Sequence, residues 1–542
     1  TGTSSASGTL TVTIDSAAPN APTVTTALSN STTPTLTGTA EADSTVTVTV
    51  GGATYTTTAT NGTWSLNLAT ATPTSGSLSL NANGTNAVSA TATDAAGNVS
   101  SAGTQSLTID TTAPNAPAVT SATLSNNATP ILTGTAEVGT TVTVTVGGAT
   151  YTTTATNGTW SVNLAAATPT AGSLSLDANG ANPVTATATD AAGNVSTPGT
   201  QSLTIDTTAP NAPAVTSAAL TNNATPIIGG TAEAGSTVTV TVGGATYTTT
   251  ATNGNWSINL ATATPVTGSL SLNANGANPV SATATDAAGN TSAPGAQTLT
   301  IDTTAPSAPT VATALTNSTT PTLTGTAETG STVTVTIGGA TYTTTATNGA
   351  WSLNLATATP TAGSLSLDAN GANPVTATAT DAAGNVSTPG TQSLVIDTTL
   401  PDAPAVTSAA LTNNATPIIG GTAEAGSTVT VTVGGATYTT TATNGGAWSL
   451  NLATATPTAG SLTLNANGTN PVSATATDAA GNTSAPGTQS LTIDTTAPTA
   501  PTVATALTNS TTPTLTGTAE TGSTVTVTIG GATYTTTATN GA

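Results

Sequence analysis

The chain has 542 residues, of which 21 are Asp or Glu and none is Lys, Arg or His, so its formal net charge is −21. That balance excludes ordinary nucleic-acid binding, which sets Lys and Arg against phosphate, and it disfavours attraction to anionic lipid. Without His, Cys, Lys or Arg most acid–base and nucleophilic schemes lack their residues, and without Cys there are no disulfides.

The chain repeats. Trp64, Trp160, Trp256, Trp351 and Trp448 stand 96, 96, 95 and 97 residues apart. Ile-Asp-Thr-Thr recurs with the same steps from Ile109, Ile205, Ile301, Ile396 and Ile493. This period is too long for a solenoid turn and fits a string of small domains. The expected division is 1–15 as the end of a preceding repeat, then repeats 1 to 5 at 16–110, 111–206, 207–302, 303–397 and 398–494. Residues 495–542 are a partial repeat 6. The chain reads as a fragment of something longer, and no apolar run in it is long enough to cross a membrane.

Repeat 1 supplies the elements in order. Pro22 to Leu28 is expected as a short first strand and Thr35 to Ala40 as a second. Thr45 to Val50 alternates Thr with Val, which puts Val46, Val48 and Val50 on one face of a third strand. Gly51-Gly52 supplies a tight hairpin and Thr54 to Thr60 returns as the fourth. Asn61-Gly62 turns the chain again. Trp64, Leu66 and Leu68 then point inward from a fifth strand. Val88, Ala90 and Ala92 face in from a sixth, and Leu107 and Ile109 from a seventh. Seven short strands without a helical pattern predict an all-β fold of tandem antiparallel β-sandwiches. Trp64 is expected in the core and Tyr55 on either face.

Three acids recur in each repeat: a Glu after Gly-Thr-Ala, an Asp opening Asp-Ala-Ala-Gly-Asn, and an Asp closing the repeat. Strand parity brings them together. If the first strand runs down, the second and sixth end at the top with Glu41 and Asp94, and the seventh ends at the bottom with Asp110. That bottom meets the top of the next repeat, which carries Glu137 and Asp190. The expected clusters are Asp15 with Glu41 and Asp94; Asp110 with Glu137 and Asp190; Asp206 with Glu233 and Asp286. Further along come Asp302 with Glu328 and Asp381, then Asp397 with Glu424 and Asp478. Asp494 and Glu520 end the series without a third member.

Three close carboxylates without a protein cation call for a bound one. Oxygen-only ligands point to Ca2+, because magnesium demands a stricter octahedron and soft metals lack their Cys and His. The competing reading is local: each Asp closes an Asx-type turn with Gly or Asn in the left-handed region, and each Glu is a loop acid. Asp43, Asp177, Asp368 and Asp402 do not recur in register and are expected to be solvated. Asp-Thr-Thr-Ala-Pro-Asn-Ala-Pro places two prolines after the joint, which favours an extended link.

Trp-Ser-Leu-Asn-Leu, Ala-Thr-Ala-Thr-Asp-Ala-Ala-Gly-Asn and Leu-Thr-Ile-Asp-Thr-Thr-Ala-Pro together resemble the tandem bacterial immunoglobulin-like domains of giant surface adhesins and biofilm-associated proteins. The resemblance covers the whole chain. It implies immunoglobulin-like sandwiches of about seven strands in an elongated rod, an extracellular place on the bacterial cell surface, a stalk role, and calcium at the junctions.

The leading expectation is a calcium-stiffened spacer in a surface adhesin or matrix fibre, and not an enzyme. The alternative is a repeated carbohydrate- or protein-binding module of a biofilm matrix. The partners expected are calcium ions, with no nucleic acid and no direct membrane insertion in this segment. Thr-rich faces without edge Lys leave room for lateral self-association into fibres.

Overall fold

The computed structural model describes residues 8, 11–504 and 507–542. The segment 1–15, expected as the end of a preceding repeat, lies mostly outside the described residues. The chain divides into two compact units. One comprises Thr1–Ala219 and Thr225–Thr300, which hold repeats 1 and 2 and nearly all of repeat 3. The other comprises Leu220–Ala224 and Ile301–Ala542, which hold repeats 4, 5 and 6. No helix among the described residues is long and apolar enough to cross a membrane.

Repeat 1 is built from β1 (Leu28–Ser29), β2 (Thr35–Thr39), β3 (Thr45–Val50), β4 (Ala53–Thr58), β5 (Thr63–Asn67), β6 (Ser75–Gly76), β7 (Asn83–Thr93) and β8 (Gly103–Asp110). The larger sheet has the order β1-β8-β7-β3-β4-β6, and β2 pairs with β5 in the smaller. Alternation does the sorting. Val46, Val48 and Val50 are buried while Thr45 and Thr49 are exposed. Val48 stands opposite Tyr55 on one side and Ala90 on the other, so large and small side chains share each layer. Gly51 and Gly52 turn the β3–β4 hairpin at φ 54° and 80°, both in the left-handed region that the tight turn requires.

The core of repeat 1 gathers Leu36, Tyr55, Trp64, Leu66, Leu107 and Ile109 with the valines, and repeats 2, 4 and 5 pack equivalent residues. Trp64 is 2% exposed and Tyr55 2%, so both aromatics are core residues. This settles the face of Tyr55, which alternation left open.

The first segment departs from the single strand expected over Pro22 to Leu28. Thr23 N–H and Thr25 N–H donate to Thr39 O (2.9 Å) and Thr37 O (2.8 Å) of β2, in the smaller sheet. Five residues on, β1 lies parallel to β8 in the larger sheet. The segment therefore crosses from one sheet to the other, which splits it into two short pieces. The loop before β7 also contributes the small strand β6, pairing Ala53 with Gly76.

Repeats 2, 3 and 5 have one more residue between the closing Asp and the Glu than repeats 1 and 4, and the structure shows where it goes. In repeat 2 Thr120 N–H and Ser121 N–H both donate to Thr133 O, at 2.8 and 3.2 Å. Thr216 with Ser217, and Thr407 with Ser408, do the same to Gly229 O and Gly420 O. Two residues facing one is a β-bulge, which absorbs the insertion and leaves the strand ends in place. The indole responds. Trp64 and Trp351 donate Nε1–H to Thr23 O (3.1 Å) and Thr310 O (3.0 Å). In the bulged repeats the buried Nε1 atoms of Trp160, Trp256 and Trp448 have no protein acceptor. Trp64→Phe is therefore expected to cost about 1 kcal/mol more than Trp160→Phe, since only the first breaks a made hydrogen bond. Calorimetric unfolding of the whole chain checks this. Equal shifts from the two variants would contradict it.

Candidate functional site

Each Asp-Ala-Ala-Gly-Asn loop follows the strand equivalent to β7 and closes on itself. In repeat 1 Asp94 Oδ1 accepts from the N–H of Ala96 and of Asn98, both at 2.9 Å, while Gly97 takes φ 92°. Behind the loop, the buried Ser100 accepts from Ala92 N–H at 2.9 Å and donates to Ser101 O at 2.8 Å. The turn-closing role weighed for this Asp is thus real, and it uses one carboxylate oxygen.

The other oxygen faces the joint. Asn98 Nδ2 donates to Asp94 Oδ2 at 2.8 Å and also to Asp15 O, the main-chain carbonyl of the closing Asp before it, at 3.1 Å. The arrangement recurs. Asn194 bridges Asp190 Oδ2 (2.8 Å) and Asp110 O (2.8 Å). Asn290 bridges Asp286 (2.8 Å) and Asp206 O (2.8 Å). Asn385 bridges Asp381 (2.8 Å) and Asp302 O (2.7 Å), and Asn482 bridges Asp478 (2.8 Å) and Asp397 O (2.7 Å). A neutral amide donor spans two oxygens of successive repeats at all five joints. Asn98, Asn194 and Asn385 each head an Asn-Val-Ser sequon, and their amide nitrogens are taken up in this bridge.

The closing Asp is fixed from its own repeat as well. Asp110 lies opposite Asn83 in the β7–β8 pairing, and Asn83 Oδ1 accepts from Thr111 N–H (2.7 Å) and Thr111 Oγ1 (2.9 Å). Asp110 Oδ1 accepts from Thr112 N–H at 3.0 Å, an Asx turn that starts the linker. On the far side, Gly193 has φ 93°, and a Cβ added there would stand 3.5 Å from Asn30 Nδ2 of the preceding repeat. Gly289 and Gly481 meet Asn126 and Asn317 in the same way. The loop glycine therefore permits the turn at positive φ, with the neighbouring repeat at contact distance.

The third expected member stands apart. Glu41, Glu137, Glu233, Glu328, Glu424 and Glu520 are exposed. Their main-chain carbonyls are engaged by the residue three on, as Glu41 O is by Ser44 Oγ at 2.6 Å and Glu137 O by Thr140 Oγ1 at 2.7 Å. Among the described residues no three Asp or Glu carboxylates are grouped to hold a metal ion. At each joint the structure links the loop Asp carboxylate to the main-chain carbonyl of the closing Asp through one Asn amide, and it leaves the Glu side chain in solvent. Asp494 accepts from Thr496 N–H at 2.9 Å. Of the acids out of register, Asp177 and Asp368 close Asx turns to Asn179 and Asn370, both at 3.1 Å.

Hydrogen bonding sets the charge of the loop acids. The Asn98 amide, the largest influence on Asp94, holds its carboxyl below the usual value, helped by the N–H groups of Asn98, Ala96 and Gly97 and opposed by desolvation. At Asp190 desolvation is the largest single influence and acts upward. The Asn194 side chain and the N–H groups of Asn194, Gly193 and Ala192 outweigh it, and the net displacement is downward. Asp286, Asp381 and Asp478 follow Asp190. The loop acids are thus held as anions facing the joint, where oxygen donors suit a hard cation.

The sequence pattern of bacterial Ig-like domains matches residues 3–111, 118–207, 214–303, 307–398 and 402–495. Among solved structures, the chain is 32% identical to one described as a Ca2+-stabilized adhesin that helps an Antarctic bacterium reach out and bind ice. That match covers 71% of this chain and 99% of the other, with a TM-score of 0.25. A tetra-tandem repeat from the extending region of a large adhesion protein is 25% identical over 70% of this chain and 100% of its own, with a TM-score of 0.26. None of the curated proteins compared with the chain matches it.

Proposed function

The chain belongs to the bacterial Ig-like domain family, and from that footing we propose that it is a spacer of a bacterial cell-surface adhesin or matrix fibre whose joints are stiffened by calcium. One observation carries the reading: at five successive joints the same amide ties the loop Asp of one repeat to the closing Asp of the repeat before. A spacer needs defined joints, and this chain spends its recurrent polar residues there. Each joint concentrates two Asp residues in a protein with no cationic side chain. Asp110 and Asp190 are the residues that would hold a calcium ion at the second joint, and Glu137, exposed on its own turn, would have to swing its side chain toward them to serve as a third donor. Calcium accepts six to eight oxygens in flexible geometry, so main-chain carbonyls and water complete such a set. The cation would supply charge neutralisation and a link stronger than the amide bridge.

The chemistry favours this over the binding-module alternative. The recess over the smaller sheet is lined by Thr25, Thr37, Thr39 and Ser65 beside Trp64, and the indole is 2% exposed, so this recess offers no aromatic face to a sugar. A Ca2+-stabilized adhesin shares 32% of its residues with this chain where they align, which fits the same cation here.

Asp206→Asn keeps the shape of the joint and removes one charge. Calcium titration of the whole chain is expected to give about one ion fewer bound per chain, with folding unchanged. An unchanged stoichiometry and affinity would remove Asp206 from the site.

A further inference from the structure

Asn heads an Asn-X-Ser or Asn-X-Thr triplet at two places in each of the five full repeats: in the loop between the strands equivalent to β1 and β2, and in the joint loop. Elsewhere such triplets do not persist. The β4–β5 hairpin has one at Asn61 and Asn157 but reads Asn253-Gly254-Asn255 and Asn348-Gly349-Ala350 further on. The triplet is the acceptor signal for N-linked sugar on a surface loop, where the Asn side-chain nitrogen takes the sugar and the third residue supplies a hydroxyl.

In the first loop the residues change and the signal stays. Repeats 1 and 4 read Asn30-Ser31-Thr32-Thr33-Pro34 and Asn317-Ser318-Thr319-Thr320-Pro321. Repeats 2 and 5 read Asn126-Asn127-Ala128-Thr129-Pro130 and Asn413-Asn414-Ala415-Thr416-Pro417. Ala128 removes the triplet that Asn126 would head, and Asn127, standing where repeat 1 has Ser31, heads a new one. The turn does not require that exchange. Thr33 N–H donates to Ser31 Oγ at 3.2 Å, just as Thr129 N–H donates to Asn127 Oδ1 and Thr416 N–H to Asn414 Oδ1, both at 3.0 Å. Serine closes the turn as well as asparagine does.

The two persistent places differ in what they leave open. At the joint Asn98 Nδ2 is held by two oxygens, and the triplet hydroxyl, Ser100, is buried and donates to Ser101 O at 2.8 Å. Ser196 and Ser387 are engaged in the same way beside Asn194 and Asn385. In the first loop Asn30, Asn127, Asn317 and Asn414 are exposed. The turn holds Oδ1 of Asn127 and Asn414 toward the chain, so the planar amide sends Nδ2 outward. We propose that the first loop of each repeat is an acceptor site for N-linked sugar, with Asn30, Asn127, Asn317 and Asn414 as acceptors. Nδ2 forms a bond to the anomeric carbon of a sugar activated as its diphosphate ester, brought by a glycosyltransferase. The bond from that carbon to the diphosphate oxygen breaks, the diphosphate leaves with the electron pair, and one Nδ2 proton passes to a base of the transferase. The loop lies beside the next repeat, since a Cβ on Gly289 would stand 3.3 Å from Asn126 Nδ2, so the sugar sets neutral, hydrated bulk next to the joint.

The site stands on the fold alone and is tested without reference to calcium or to the spacer reading. The whole folded chain is treated with nucleotide-activated glucose and a soluble asparagine glycosyltransferase. A peptic digest of the chain, made beforehand, is treated in parallel, and mass spectrometry assigns each glucose to its Asn. The folded chain is expected to carry glucose on Asn30, Asn127, Asn317 and Asn414 and none on Asn98, Asn194 or Asn385, whereas the digest takes it at both places. Thr129→Ala keeps the N–H that closes the turn, removes the hydroxyl, and should cost the sugar on Asn127 alone. Joint asparagines modified in the folded chain as fully as those of the first loop would overturn the proposal. So would first-loop asparagines that stay bare in the folded chain, or an Asn127 that keeps its sugar in Thr129→Ala.

Discussion

Gly38→Val is expected to unfold repeat 1 at temperatures where the other repeats stay folded. Gly38 lies on the inner face of β2, opposite Trp64 of β5. A Cβ there would overlap Thr23 O and stand 2.6 Å from Trp64 Nε1. One neighbour is backbone and the other a buried ring, so neither moves cheaply. Overpacking of this kind costs about 3 kcal/mol, and a branched side chain that also displaces the first segment costs more. Small domains hold a margin of about 5–15 kcal/mol, so the loss falls on a large share of it. Calorimetry of the whole chain should show the transition of one repeat moved well below the rest. Gly97→Ala is the comparison. Its Cβ would meet nothing within 4 Å and would suffer only from φ 92°, about 1–2 kcal/mol. A Gly38→Val chain that melts like the parent would show that the first segment does not need to lie against β2.

Much of the sandwich was legible because its rule is simple alternation. Thr-Val-Thr-Val-Thr-Val over 45–50, the returning strand and the inward Trp64, Leu66 and Leu68 stand where period two puts them. Parity survives as well, with β1 and β8 running the same way. What alternation cannot report is which sheet a strand joins. Pro22 to Ser29 mixes apolar residues with Thr and Ser along its length, and its change of sheet depends on backbone partners far away in sequence. The bulge in repeats 2, 3 and 5 was visible only as one extra residue. Its effect on the indole of Trp160 needed coordinates.

The joint was half legible. The loop Asp and the main chain of the closing Asp share one amide bridge because strand ends are fixed by the sheets. The Glu side chain lies on a turn whose direction is set by its own backbone and the buried Ser44 or Thr140, and parity says nothing of that. Asn98 and its equivalents were in plain view inside Asp-Ala-Ala-Gly-Asn. Charge does not mark them, since an amide signals neither a metal nor an ion pair. Their signal was recurrence at a fixed place beside an acid.

Magnitude decides between the two ways of holding a joint. One amide bridge contributes about 1 kcal/mol net, little more than thermal energy, and leaves neighbouring carboxylates to repel each other. A calcium ion shared by Asp110 and Asp190, as proposed, would neutralise them and tie both repeats with several oxygens, backed by a proline-bearing linker. Removing calcium should therefore loosen joints long before it melts sandwiches, whose cores are apolar. Small-angle scattering of the whole chain, with calcium and then with a chelator, measures this. At about 40 Å per repeat, the five full repeats in line would span on the order of 200 Å. The account predicts a straight, extended particle with calcium and a shorter, bending ensemble after chelation, while the near-ultraviolet signal of the buried tryptophans stays the same. An identical maximum dimension and flexibility in the two conditions would contradict the calcium-stiffened spacer.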